Sequence, residues 1–329
     1  MSTVLVTGAT GHTGVFTVLE YIKNGYKVNT TMRDISQLSE VKEMIQKTGN
    51  LSDEAMKNIR YFQADLGKEE GWKEAIDGCE YVCHVAYPFI NNVPLEQIYD
   101  AAITGTMNLL NLAANTESVK QFIFCSSFAA IGFADSYPEG TIVNDDSWTP
   151  EDAKILDGYM KSKILVEKMM WKFIKSSENK RGMSFTSIAP YMISGPLPWG
   201  YRKLVGVMGL IKLYITGGLD VILHYHLNNS DVRDLSKSFV SATNNKEAFN
   251  ERFLLVEEKE HLMSEIVDIL KRDFPAKYSE KVPTAVSPPL TISKITDSSK
   301  ARRILNFNPI PFEESIKQSI ENIIERENL

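Results

Sequence analysis

Short apolar runs rich in β-branched residues recur at residues 4–7, 27–32, 59–63, 81–85, 121–126 and 184–189, and the stretches between them carry apolar positions at helical spacing. Strands that alternate with helices predict a parallel sheet, because parallel neighbours need long crossovers. The pattern therefore implies an α/β fold, a Rossmann-type doubly wound parallel sheet whose ligands sit at the carboxyl ends of the strands. Two of the helices are plain in outline. One spans residues 11–24 and stops at Asn24-Gly25; the other spans 95–115, with Ile98, Ala102, Leu109 and Leu112 on its apolar side.

This rhythm fades after Ala189. Pro190, Gly195-Pro196-Leu197-Pro198, Gly206 and Gly217-Gly218 make a loop-rich stretch, and the tail combines helical patterns at 261–271 and 312–326 with a proline-containing connector at 282–289. The expected organisation is a dinucleotide-binding core over residues 1–189, to which 220–256 returns. A smaller substrate-binding lobe is expected from 190–219 and 257–329.

Composition narrows the function without changing the fold. The chain has 329 residues, 43% hydrophobic and 24% charged, enough for one large domain or a domain with an appendage. A net charge of −6 gives no basic excess for nucleic acid or an anionic membrane, so a small molecule is the expected partner of a monomer or homodimer. Cys79, Cys83 and Cys125 lie in apolar runs without zinc or thiol-catalysis spacing and read as buried reduced thiols; no metal is expected. The first strand starts at once, which leaves no room for a secretory signal, and the apolar run at 204–219 is broken by Lys212 and glycines. A cytoplasmic location is the expectation. The acidic pairs Asp145-Asp146 and Glu257-Glu258 read as solvated surface, and Asp231 to Asp234 as a loop-fixing structural segment.

The first strand runs into Gly8-Ala9-Thr10-Gly11-His12-Thr13-Gly14, which opens a helix. Glycines at this spacing permit a tight turn, close approach of backbone to a pyrophosphate, and close helix–strand packing, while amides at the helix start bind the anion. Within that loop His12 is expected to act through its backbone amide and not as an acid or base. At the end of the second strand an acidic side chain would suit the ribose hydroxyl of NAD, and a cation the 2′-phosphate of NADP. Thr31-Met32-Arg33-Asp34 offers both. Arg33 comes first if the strand ends at Met32, leaving Asp34 to start the next segment, so NADP is favoured over NAD; a solvated Arg33–Asp34 pair is the alternative.

Tyr159 and Lys163 stand four apart at the start of a helical stretch, so phenol and ammonium share one face. A neighbouring ammonium, together with the cofactor's positive charge, favours the phenolate and makes tyrosine usable as an acid/base group. Ser126 and Ser127 follow the apolar run 121–125, at the carboxyl end of the expected strand, where a hydroxyl could hold a substrate oxygen or cap a turn.

Gly8 to Gly14, His84-Val85-Ala86, Phe124-Cys125-Ser126-Ser127, Tyr159-Met160-Lys161-Ser162-Lys163 and Ala189-Pro190, in this order, resemble the extended short-chain dehydrogenase/reductase superfamily, which includes the NAD-dependent epimerases/dehydratases. The resemblance is to its dihydroflavonol 4-reductase-like and methylglyoxal/aldehyde reductase-like carbonyl reductases, over roughly residues 1–240. It implies an NADPH-dependent oxidoreductase that reduces aldehydes or ketones. Tyr159 would be the proton donor, Lys163 the group that binds the nicotinamide ribose and lowers the tyrosine pKa, and Ser127, in preference to Ser126, the group that holds the carbonyl. It further implies Asp65 and Leu66 near the adenine, Ala86 beside the riboses and Pro190 near the carboxamide. Tyr87, where this subgroup usually has Ser or Thr, and Phe128, at an often small position, depart from the pattern. Phe89, Phe128 and Tyr191 are candidates for an aromatic pocket wall or for core packing. The competing expectations are a sugar-nucleotide epimerase or dehydratase with tightly bound NAD, and a non-catalytic NADP-sensing protein.

Overall fold

The computed structural model describes residues 1–88 and 94–327. At its centre lies a seven-stranded sheet of β1 (Thr3–Val6), β2 (Lys27–Met32), β3 (Ile59–Gln63), β4 (Tyr81–His84), β5 (Gln121–Cys125), β6 (Ser184–Pro190) and β7 (Glu251–Leu255). The strand order is 7-6-5-4-1-2-3 and every ladder is parallel. The first six strands fall within a residue of the apolar runs that predict them. The runs of β5 and β6 are continuous because those two strands bury every residue, leaving no polar face to interrupt them. Chain order reverses between β1 and β4, and the crevice beyond their carboxyl ends is where such a sheet takes a ligand.

Strand alternation feeds two cores. Val4 and Val6 of β1 enter one, with Val15 and Val18 of α1 (His12–Lys23) and Phe239 of α6 (Val232–Asn244). Leu5 enters the other, with Leu109 of α3 (Gly105–Asn115) and Val166 of α4 (Gly158–Ile174). Before α3 the chain forms Leu95–Tyr99 and a π turn at Asp100–Thr104, so the helix expected over 95–115 carries a widened turn inside it. After β2, α2 (Leu38–Gly49) follows and ends on Asn50 at φ 46°.

A third apolar cluster lies outside the sheet. Tyr214 and Ile215 of α5 (Gly206–Thr216) pack with Ile266 and Leu270 of α7 (Met263–Asp273) and with Ile316 and Ile320 of α8 (Phe312–Glu327). Among the described residues no helix is long and apolar enough to cross a membrane, and no cluster could hold a metal ion. The cysteines are free and buried. Asp231 caps α6 and takes an ion pair from Arg233, a structural role.

Asp146 is exposed, as expected, but its neighbour Asp145 and the pair Glu257-Glu258 correct the surface expectation. Asp145 is 7% exposed, its carboxylate accepts the Leu254 N–H at 2.5 Å, and burial raises its pKa to about 6. Glu257 accepts the Phe312 N–H at the start of α8, and Glu258 that of Ser298.

Candidate active site

The glycine loop is built by sterics at two positions. Gly8 has φ +82°, and a Cβ on Gly14 would lie 2.0 Å from the Gly8 carbonyl oxygen, so that oxygen and α1 can meet only if residue 14 is glycine. Gly11 differs. Its backbone is extended, and a Cβ there would touch nothing in the protein closer than 3.4 Å. Gly11 stands at the N-cap of α1, whose first turn has neither a side-chain cap nor an acidic residue. An uncapped, open helix start with its amides outward fits an anion such as a pyrophosphate. Thr10 and Thr13 lie half-buried around it. The His12 ring turns away: Nε2 donates to the Pro196 carbonyl at 2.8 Å, and burial pulls the imidazole pKa down to about 4. His12 thus ties the loop to the segment after β6.

Beside the loop, Thr7 Oγ1 accepts the N–H groups of Val85 and Ala86 at 3.0 and 2.9 Å. Its own proton therefore goes to His84 Nδ1, 2.9 Å away, and the ring proton sits on Nε2 toward Thr106 Oγ1 at 3.3 Å. Burial, helped by the Lys163 charge, holds the His84 pKa at about 3, so this ring is a neutral clamp on the switch point. It presses Ala86 against Gly8, where a Cβ would meet the Ala86 Cβ at 3.0 Å.

At the outer end, Arg33 is exposed and forms no ion pair among the described residues. Asp34 has turned into its own chain, its carboxylate accepting the Ser36 N–H at 2.9 Å. The Arg33 guanidinium is thus available to a phosphate while the neighbouring carboxylate is occupied. Asp65 and Leu66 follow β3; the Asp65 carboxylate accepts the Gly67 N–H at 3.0 Å. Pro190 is the last residue of β6 and is buried.

The proton-bearing groups meet between β5 and α4. Ser127 follows β5, and its Oγ accepts the Ala129 N–H at 3.1 Å while also hydrogen-bonding the Tyr159 phenol. Asp157 caps α4 by accepting the Met160 N–H at 2.8 Å, which sets Tyr159 in the first turn and Lys163 one turn on. Burial raises the phenol's pKa, and the Ser127 hydroxyl offsets that only in part. Lys163 is 3% exposed; its Nζ donates to the Cys125 carbonyl at 2.8 Å, and burial lowers its pKa to about 8. In the structure the phenol therefore stands neutral, where the sequence spacing favours the phenolate, because helical spacing reveals the charge but not the desolvation.

Ser126 serves another network. Its hydroxyl donates to Glu167 Oε2 at 2.6 Å, while Oε1 accepts Ser187 Oγ at 2.6 Å and Arg252 Nε at 2.8 Å. The remaining Arg252 N–H groups reach the carbonyls of Ala130, Asp145 and Ser147 and Glu167 Oε2, so all five have acceptors. No sequence motif marks this pair. Of the aromatic candidates among the described residues, Phe128 is fully buried and stacks on Tyr191 at 4.3 Å, while Tyr191 is half-buried and has surface to offer. Phe89 lies outside the described residues. Lys294, also unmarked in the sequence, lies over both rings at 5.2 and 5.1 Å.

The chain is similar to known proteins over most of its length. The sequence profile of the 3-beta hydroxysteroid dehydrogenase/isomerase family matches residues 5–203. The cinnamoyl-CoA reductase CAD2 of Medicago truncatula is 29% identical over 328 residues, covering 98% of this chain and 96% of that protein. The structure of Gre2 from Candida albicans in complex with NADPH superposes with a TM-score of 0.81 at 26% identity, covering 99% of each chain. Yeast methylglyoxal/isovaleraldehyde reductase Gre2 superposes at 0.82 with 22% identity over 99% of each chain, a likeness of fold.

Proposed function

This chain belongs to the 3-beta hydroxysteroid dehydrogenase/isomerase family of extended short-chain dehydrogenases/reductases, and we propose from that premise that it is an NADPH-dependent reductase of aldehydes or ketones. One observation carries the reading: the Tyr159 phenol is held neutral, bonded to Ser127, one turn before the buried Lys163 ammonium. Reduction of a carbonyl needs a proton already in place on the donor. Burial keeps it there through neutral pH. Ser127 orients the carbonyl oxygen, Tyr159 passes its proton to that oxygen as charge develops on it, and Lys163 supplies the positive field that supports the phenolate left behind.

When bound, the nicotinamide supplies the hydride. The residues suited to hold the cofactor are Gly8, Gly11, Gly14 and the amides of His12 and Thr13 at the pyrophosphate, and Arg33 at the 2′-phosphate. Asp65 and Leu66 would lie at the adenine, Ala86 and Lys163 at the riboses, and Pro190 at the carboxamide. Residues 190–219 and much of 257–329, gathered around the third apolar cluster, would cover the substrate, with Tyr191 as a wall, while Ala301, Ile304, Leu305 and Phe307 pack into the first core beside the sheet. The NADPH complex of the Candida albicans relative and the reductase activity named for the Medicago one support this assignment.

The test follows NADPH absorbance with small dicarbonyls, aromatic aldehydes and ketones, in parallel with NADH. Turnover with NADPH in excess of NADH is the expected result. Tight cofactor binding without turnover on any carbonyl would overturn it in favour of a sensing role. Nicotinamide retained through purification would overturn it in favour of an epimerase or dehydratase.

A further inference from the structure

Tyr87 has no part in the reaction as set out above, yet its ring touches the centre of the site. Lys163 Nζ lies 3.6 Å from the centroid of the Tyr87 ring and 4.7 Å from that of Phe124. The Tyr87 hydroxyl donates to Ser162 Oγ at 3.0 Å, and Ser162 Oγ donates in turn to the Tyr159 carbonyl at 2.7 Å, so the ring is pinned to the first turn of α4. Its edge meets the Tyr159 ring, with centroids 6.0 Å apart at 82°.

Among the described residues no ion pair reaches the Lys163 ammonium, although the Glu167 charge one turn on still favours it at a distance. On α4, Glu167 is engaged by Arg252, Ser126 and Ser187. On β4 the buried His84 ring is neutral; on β5 burial keeps the Cys125 thiol protonated, so only the Cys125 carbonyl bonds the ammonium. Tyr159 is neutral as well. Apart from the Cys125 carbonyl, the groups at contact range are the negative faces of aromatic rings, whose attraction for a cation grows when water is excluded.

We propose that Tyr87 is a positioning residue for the proposed reduction, its ring face holding Lys163 as an ammonium in register with Tyr159. The inference rests on the reading of Tyr159 and Lys163 given above. A ring quadrupole suits this task better than a carboxylate would. A carboxylate beside Lys163 would cancel the positive field that the forming phenolate needs, whereas a quadrupole carries no net charge and acts only at contact range.

The experiment follows the titration of Lys163 by NMR in cofactor-free protein labelled with carbon-13 at the lysine ε position, the signal being assigned by its absence in Lys163→Met. Tyr87→Phe keeps the ring face and holds the Lys163 midpoint near that of the wild type. Tyr87→Leu lowers the midpoint by about 0.4 to 1.5 pH units, the range to which a cation–π contact corresponds. Placing 3,4,5-trifluorophenylalanine at position 87 keeps the ring's shape but withdraws charge from its face. It lowers the midpoint too, and it decides the question should Tyr87→Leu fail to fold. An unchanged or raised midpoint in the trifluoro variant overturns the proposal and leaves Tyr87 as packing. Because the titration needs no turnover, it can fail while the wild-type reductase assay succeeds, and the reverse.

Discussion

Lys163 and Glu167 lie one turn apart on α4, both buried, and their surroundings treat them in opposite ways. Glu167 is surrounded by donors: burial alone would raise its pKa, but Arg252, Ser126 and Ser187 more than offset this and hold it below the ordinary range. Lys163 touches one carbonyl and two ring faces and feels the Glu167 charge only at a distance, so burial prevails, bringing its pKa to about 8. The satisfied charge fastens β5, β6, β7 and α4 together. The under-compensated one remains responsive to whatever binds or reacts beside it, which is the condition a catalytic site needs and a structural pair avoids.

Substitution separates the two most sharply. Arg252→Met leaves Glu167 buried and unpaired and should cost about 3–5 kcal/mol in denaturant unfolding. Lys163→Met removes a charge that the fold supports poorly; its unfolding free energy should stay within about 1 kcal/mol of the wild type or exceed it. Turnover in that variant should nonetheless fall by about two orders of magnitude or more. Equal destabilisation in the two variants would erase the distinction.

Arg33 extends the comparison to the surface, as an exposed charge with no ion-pair partner among the described residues. Its substitution in Arg33→Gln should raise the KM for NADPH by about ten- to a hundredfold, the worth of a charge-assisted hydrogen bond, with little change for NADH. Equal effects on both cofactors would remove Arg33 from the 2′-phosphate.

A smaller, pH-dependent effect distinguishes the buried charges without turnover. The folded pKa of Lys163, about 8, lies below the unfolded value near 10.4, so between them the unfolded chain holds more protons and stability rises with pH. Wild-type stability should therefore climb relative to Lys163→Met from about pH 8 to 10. His261 should give the smallest effect and the opposite sign. Burial works against its charge, but Glu257 and Glu265 more than compensate and raise its pKa. Its stabilisation is complete below the unfolded value of about 6.5 and is lost as pH rises through the folded one. The advantage of wild type over His261→Gln should shrink over that range. A gap that widens would contradict the assignment.

What could be read from the sequence was what is local. The glycine loop, the strand-end serines and the Tyr159–Lys163 pair lie within single elements, where spacing fixes geometry. The charge balance of the site depends on contacts far apart in the chain. Tyr87 and Ser162 are 75 positions apart, and Glu167 and Arg252 are 85 apart. The charged Glu251 and Arg252 also open β7 and shorten its apolar run, so the sequence places that strand only within the returning segment 220–256 and not as a strand in its own right. Asp145 misled for the same reason: its partner, the Leu254 amide, is 109 positions away.

The most direct test of the account measures NADPH binding by calorimetry and carbonyl turnover in Tyr159→Phe beside the wild type. The account predicts that both proteins bind NADPH with dissociation constants within about threefold, and that turnover falls in the variant by about a hundredfold or more, the share general acid catalysis carries. Turnover that survives the loss of the Tyr159 hydroxyl, with NADPH bound equally well, would contradict it.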